Sequence, residues 1–138
     1  MHTALAIAVA LSCLALHPKR LQFMLAAARG DLGLVKRMLP VAKQASVEMA
    51  IKAAAMEDAD SVVNHILHVQ GYRKLNHFIH KSVLQIAVDF DSPRVLHSLL
   101  DGRLQFSRGE LVDALAWCED DAKLCKQMLE DAIGDINK

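Results

Sequence analysis

The sequence predicts an all-α fold, a short α-solenoid of stacked helix–turn–helix repeats that begins with an N-terminal capping helix. The first observation is a pattern of two small residues, a tight turn and two apolar pairs, which occurs four times along the chain. The second is a composition rich in Ala and Leu, interrupted by only three prolines and six glycines. A short antiparallel helix pair cannot bury both of its apolar faces alone, so repeated pairs are expected to stack.

The pattern is clearest between Ala26 and Leu39. Its four copies start at small residues that are 28, 33 and 29 positions apart, a period typical of solenoids, and these residues are Ala26, Ala54, Ala87 and Ala116. The apolar pairs of the second helices follow an i, i+1, i+4, i+5 spacing, which places them on one stripe of a helix. In the first two copies they are Leu34, Val35, Met38 and Leu39, then Val62, Val63, Ile66 and Leu67.

We expect a single domain over residues 1–138, because a chain of this length can bury about two-thirds of its unfolded surface. The predicted units are an apolar N-terminal helix over residues 3–16 and four repeats over residues 17–40, 46–69, 80–102 and 107–131. The least repetitive stretch, residues 70–81, accounts for the longest spacing between copies.

Helix start signals support these boundaries. Pro18 suits the first turn of a helix, and Asp31 is a good N-cap for the helix that follows the first turn. Ser46 is a plausible N-cap for the second repeat, and Ser92 followed by proline predicts the start of another helix. A capping box, Ser and Glu three residues apart before an apolar run, is expected over residues 107–110.

The stretch from Ala26 to Leu39 resembles the ankyrin repeat, whose pattern runs T-P-L-H-x-A-A-x-x-G-H-x-x-V-V-x-x-L-L. Gly30-Asp31 falls at the family's turn, and Ser82 to Ala87 keeps a degenerate opening in the third copy. The resemblance covers residues 17–131, and it is specific at the small-residue and apolar-pair positions. It implies a stack of helical hairpins.

The copies depart from the family pattern in three ways. None has an intact T-P-L-H opening, and Trp117 stands where the family has a second Ala. The turn glycine is kept only at Gly30, and the other copies replace it with Asp58, Asp91 and Asp120. A stack of the HEAT or tetratricopeptide type is therefore the alternative.

The resemblance also implies a function, namely a non-catalytic module that binds another protein on its concave face. In ankyrin-like stacks the two positions after each small pair end the inner helix and point toward that face. Carried over to this chain, the candidate partner-binding residues are Arg29, Met56, Glu57, Asp89, Phe90, Cys118 and Glu119. Among them we favour Arg29, Glu57, Phe90 and Glu119, and arginine and aromatic residues are frequent anchors at interfaces.

Residues 3–16 carry no charge and support a different hypothesis. The run is too short to span a bilayer comfortably. If it is a helix that caps the stack, the protein is expected to be cytoplasmic. It also has the length of a signal-peptide core, which would make the protein secreted if residues 1–15 were removed, although Met1-His2 supplies no positive charge before it. The alternative function is a structural or accessory subunit of a larger assembly, docked through this helix and possibly in contact with a membrane.

Other classes of function have little support. Sixteen basic and sixteen acidic residues give a net charge of zero, which disfavours nucleic-acid binding. The sequence shows no nucleophile elbow and no Gly-rich phosphate loop, so we expect no enzymatic activity, no cofactor and no small-molecule ligand. Cys13, Cys118 and Cys125 match no metal or redox spacing and are expected to be reduced, buried or half-buried thiols.

Four histidines are the weak candidates for a metal site. His65 and His68 are three residues apart, one turn of a helix, and His77 and His80 repeat this spacing. Imidazoles from both pairs could in principle bind zinc. They would have to converge across a loop with no cysteine or paired carboxylate to help, so no metal is predicted.

Overall fold

The computed structural model of this protein describes residues 18–70, 75–101 and 106–136. Over these ranges it contains eight α-helices and no β-strand, which confirms the predicted all-α class. The predictions made for residues 3–16, which concern a cap, a signal peptide or a docking helix, lie outside the described residues.

The eight helices follow one another as four hairpins. A 3₁₀ turn, Leu39–Val41, comes after the second helix, and a π-helical turn, Ile66–Gln70, extends the fourth. The hairpins are α1 (Pro18–Arg29) with α2 (Leu32–Met38), α3 (Gln44–Met56) with α4 (Asp60–His65), α5 (His77–Asp89) with α6 (Pro93–Leu99), and α7 (Arg108–Trp117) with α8 (Lys123–Ile136).

Contacts between hairpins run along two rows of helices. The first helices contact one another in chain order, α1 with α3, α3 with α5, and α5 with α7. The second helices do the same, α2 with α4, α4 with α6, and α6 with α8. Each hairpin therefore packs on the hairpins before and after it in the sequence.

The main core lies between the two rows and is lined by small residues. Both alanines of the first two copies are buried, as are Ala87 and Val88 in the third, because small side chains let neighbouring helices approach closely. The second helices contribute buried apolar residues at the predicted spacing, among them Val35, Val63, Leu96 and Leu129.

The turns of the first three hairpins share one backbone geometry. Gly30, Asp58 and Asp91 each have a positive φ, of 74°, 55° and 50° respectively. The N–H of each donates to the carbonyl three residues earlier, over 3.1, 3.4 and 3.2 Å, and these acceptors belong to Ala27, Ala55 and Val88. Aspartate tolerates this left-handed conformation better than most residues, which is why it can replace the turn glycine.

The fourth hairpin departs from the predicted alignment. The Cys118 N–H donates to the carbonyl of Leu115 over 3.2 Å, which places Cys118 where Gly30 stands in the first hairpin. Ala114 is fully buried, whereas Ala116 and Trp117 are exposed. The prediction that Ala116 begins the fourth small pair is therefore wrong by two residues, because the turn before α8 is longer than the other turns.

Asp120, which the sequence pattern aligns with Gly30, does not share the backbone conformation of the other turn residues. Among the described residues other than glycine, only Asp58 and Asp91 have a positive φ. Cys118, which stands at the equivalent position, has an extended backbone with φ −63° and ψ 135°.

The predicted caps have mixed outcomes. The Asp31 carboxylate accepts from the Leu34 N–H over 3.2 Å, and the capping box between Ser107 and Glu110 is complete. Ser46 is not an N-cap, since it lies buried inside α3. Ser92 stands at the N-cap position of α6 but makes no side-chain cap there.

Candidate functional site

Four residues occupy equivalent positions at the ends of the first helices. In each hairpin this position directly precedes the turn residue whose N–H bonds the carbonyl three residues earlier. Because the first helices pack side by side in chain order, their four ends follow one another along the stack. We call this set of residues the helix-end row, and its members are Arg29, Glu57, Phe90 and Trp117.

Charged residues stand at one end of the helix-end row and aromatic residues at the other. Arg29 is exposed and Glu57 half-buried, and Phe90 and Trp117 follow. Trp117, the largest side chain in the chain, is 41% exposed. Tryptophan, arginine and tyrosine are the residues most enriched among interface hot spots.

Trp117 is the member that the sequence pattern missed. The pattern assigned it to the buried small pair and assigned Cys118 and Glu119 to the surface position. A second signal could have corrected this, because an apolar residue stands three positions before the first small residue in every hairpin. These pairs are Phe23 with Ala26, Ile51 with Ala54, Leu84 with Ala87, and Leu111 with Ala114, all buried.

The remaining candidate residues lie beside the row. Met56 is half-buried and Asp89 exposed, each directly before a member of the row. Partial desolvation by neighbouring groups raises the pKa of the Asp89 carboxyl above its ordinary value, although the residue as a whole is exposed. Cys118 and Glu119 lie in the turn after α7, where Cys118 is half-buried and its thiol approaches the carbonyl of Ala114 at 3.6 Å.

The turn aspartates join neighbouring hairpins next to the row. The Val95 N–H at the start of α6 donates to Asp58 Oδ1 over 2.9 Å, so the second hairpin caps a helix of the third. The Ser92 hydroxyl donates in return to the carbonyl of Ala55 over 2.6 Å. An ion pair between Arg94 and Asp60 reinforces the same junction.

An analogous bond links the third hairpin to the fourth. The Cys125 thiol, buried on α8, donates to Asp91 Oδ1 over 3.2 Å. Burial and this hydrogen bond raise the pKa of Cys125 to about 12, so the thiol stays protonated at neutral pH. The predicted burial is confirmed for Cys125, which is buried, and for Cys118, which is half-buried.

The histidines are placed separately rather than around one point. His65 ends α4 and His68 follows in the π-helical turn, whereas His77 and His80 lie on α5. Nε2 of His77 lies 2.8 Å from a carboxylate oxygen of Glu110, which also lies 3.7 Å from the ammonium of Lys81. Within residues 18–70, 75–101 and 106–136, no group of three or more His, Cys, Asp or Glu could hold a metal ion.

His80 makes the stability of the fold depend on pH. Burial, and secondarily the nearby His77, lowers the pKa of His80 below its ordinary value, so the folded chain binds a proton there less readily than the unfolded chain does. Below about pH 6.5 the unfolded chain binds a proton there that the folded chain does not, and the free energy of unfolding should fall as pH falls. One group sets an upper limit of about 1.4 kcal/mol per pH unit on this slope.

Urea unfolding at pH 7.5 and pH 5.5 measures the effect. We expect His80→Gln to lose less stability between the two pH values than the wild type does. His97→Gln, which replaces an exposed histidine on α6, should behave like the wild type. Equal pH dependence in His80→Gln and the wild type would contradict the assignment to His80.

No family model, curated protein or solved structure significantly matches this chain. No helix among the described residues is both long enough and apolar enough to cross a bilayer. The function must therefore be argued from the surface of the molecule itself.

Proposed function

We propose that this protein is a short, degenerate ankyrin-like stack that binds another protein through the helix-end row and catalyses no reaction. The observation that carries the proposal is a backbone hydrogen bond found in all four hairpins, from the turn residue to the carbonyl three residues earlier, although only the first three turn residues have a positive φ. The order of helix contacts supports a stack of the ankyrin type, since the main contacts between described hairpins join sequence neighbours through matching helices.

Binding would use the row as a rigid surface. The bonds of Asp58 and Asp91 across the hairpin junctions hold the helix ends in fixed relative positions, so little ordering is needed when a partner arrives. The aromatic end, with Phe90 and Trp117, would supply most of the affinity. Arg29 and Glu57 would orient a partner that carries complementary charges in the reverse order.

An affinity pull-down with quantitative mass spectrometry tests this surface. The test variant is Phe90→Ala/Trp117→Ala, and a second variant, Arg29→Ala/Phe90→Ala, includes the charged end. We expect both to recover at least about tenfold less of a partner that the wild type captures, because truncated anchors cost about 2 kcal/mol or more.

Phe78→Ala is the matched control. Phe78 is 70% exposed and lies at the opposite end of α5 from Phe90. The substitution Phe78→Ala therefore removes a phenyl ring from the surface outside the helix-end row. Circular dichroism and thermal unfolding confirm that each variant is folded. A partner retained by both test variants, or lost with Phe78→Ala, would show that the interface lies elsewhere.

A further inference from the structure

A recess with a volume of about 250 Å³ lies at the beginning of the stack, where the start of α1, the end of α2 and the start of α3 meet. Its most buried side chains are Phe23 and Ser46, which are only 2% and 8% exposed, whereas Val41 is 85% exposed. The recess is therefore open to solvent on one side and reaches buried side chains on the other.

The charged side chains of this recess are all positive. Among the described residues, no aspartate or glutamate lines it, and its basic members are Lys19, Arg20 and Lys43. The ion pairs between described side chains involve neither Arg20 nor Lys43. We call it the basic recess, and its charges favour a bound anion over a cation.

The single sign of charge distinguishes the basic recess from a larger groove at the other end of the stack. That groove lies between α6, α7 and α8, and its charged residues include Arg108, Asp101, Asp131 and Asp135. A ligand of either sign would meet a like charge in the groove, whereas an anion would meet none in the basic recess.

The start of α3 adds the end of a helix to this positive charge. Lys43 occupies the N-cap position without a side-chain cap, and the first turns of α1 and α3 contain no acidic residue. The first N–H groups of a helix have no partner within the helix and give this end a partial positive charge. Such an end favours an anion.

Ser46 places a buried hydroxyl in the same recess. The other two buried serines, Ser92 and Ser98, each donate to a backbone carbonyl. Within the part of the chain that the structure describes, the Ser46 hydroxyl makes no such bond, although the residue is only 8% exposed. A polar group buried without a partner is destabilising, so this hydroxyl is placed to bind a ligand that enters the recess.

We propose that the basic recess binds a small organic anion, namely a carboxylate or phosphate group on a short apolar chain. The head group lies between Arg20 of α1 and Lys43 of α3, and the Ser46 hydroxyl donates a hydrogen bond to it. The chain of the ligand lies against the apolar lining of the recess, which consists of Phe23, Met38, Val41 and Ala42.

The volume of the recess limits the length of that chain. A water molecule takes up about 30 Å³ of the liquid, so a recess of about 250 Å³ holds roughly eight non-hydrogen atoms. Hexanoate and butyl phosphate are of this size. No sequence motif signals the recess, because its residues come from elements that meet only after the first two hairpins pack.

The basic recess is separate from the helix-end row. Arg29 ends α1 and lies about 14 Å along the helix axis from Arg20. The inference therefore does not depend on the proposed partner protein. Failure of anion binding and failure of partner binding are separate results.

A titration of ¹⁵N-labelled protein, followed through the amide signals of residues 43–47, tests the recess. The probes are hexanoate and butyl phosphate, and the control is hexanamide, which has the shape of hexanoate without its charge. We expect saturable binding of at least one anion, at least about tenfold tighter than that of hexanamide, because hydrogen bonds to a charged group are stronger. The tighter anion identifies the head group as carboxylate or phosphate.

Acetate and inorganic phosphate test the apolar part of the proposal. Each carries a head group without the chain, and it leaves the apolar lining uncovered. We expect each to bind at least about tenfold more weakly than the corresponding anion with its chain. A head group that binds as tightly by itself would overturn the assignment of an apolar chain.

Arg20→Gln/Lys43→Gln removes two of the positive charges and should weaken anion binding at least about tenfold. The matched control is Lys81→Gln/Lys123→Gln, which removes two exposed charges on α5 and α8 and should bind like the wild type. Circular dichroism confirms that both variants are folded. Equal affinity for hexanamide, unchanged binding by the recess variant, or no saturable binding of either anion would overturn the proposal.

Discussion

Replacing Ala54 with leucine is expected to lower the free energy of unfolding by about 3 kcal/mol, the upper part of the range for overpacked cores. Ala54 is fully buried on α3, and α3 packs against α1 on one side and α5 on the other. The three carbon atoms that leucine adds have no space there, so α1 or α5 must move away from α3. Urea unfolding monitored by circular dichroism measures the change.

Ala45→Leu is the matched control for this prediction. Ala45 lies on the same helix but is exposed, so the same substitution should change stability by less than about 0.5 kcal/mol. A similar small effect at Ala54 would mean that the small pair is not closely packed. The central sequence pattern would then have a different explanation.

Replacing Asp58 with alanine is expected to lower the free energy of unfolding by about 2.5 to 4 kcal/mol, for two separable reasons. The variant loses the acceptor of the Val95 N–H, and a hydrogen bond to a charged group contributes about 1.5 to 3 kcal/mol. It also leaves alanine at φ 55°, a left-handed conformation that costs about 1 kcal/mol outside glycine, asparagine and aspartate.

Two further variants separate the hydrogen bond from the backbone conformation. Asp58→Asn keeps an acceptor oxygen and tolerates the left-handed backbone. We therefore expect its free energy of unfolding to lie within about 1 kcal/mol of the wild-type value. Asp58→Gly removes the backbone strain but does not restore the hydrogen bond. Its free energy of unfolding should therefore lie between those of Asp58→Asn and Asp58→Ala.

Asp120→Ala is the control, because the sequence pattern gives Asp120 and Asp58 the same role. The structure instead places Asp120 in the longer fourth turn, fully exposed and 3.5 Å from the ammonium of Lys126. A fully exposed ion pair contributes little to stability, so Asp120→Ala should lower the free energy of unfolding far less than Asp58→Ala does. Equal losses for Asp58→Ala and Asp120→Ala would contradict the alignment of the fourth hairpin described above.

The helices and their buried faces could be predicted because the relevant signals are local. The i, i+1, i+4, i+5 spacing puts apolar residues on one stripe whatever the rest of the chain does, and Val63, Leu96 and Leu129 are buried as expected. The capping box of Ser107 and Glu110 depends on atoms three residues apart, and it too is present as predicted.

Turn length and the bonds between hairpins could not be predicted in this way. Ser92 was expected to cap its own helix, but its hydroxyl donates to the carbonyl of Ala55, 37 residues earlier in the chain. The helix receives its cap from Asp58 instead, and Trp117 joins the helix-end row because the fourth turn is longer. Such features depend on which atoms of different hairpins meet after packing, and that is decided only when the hairpins come together.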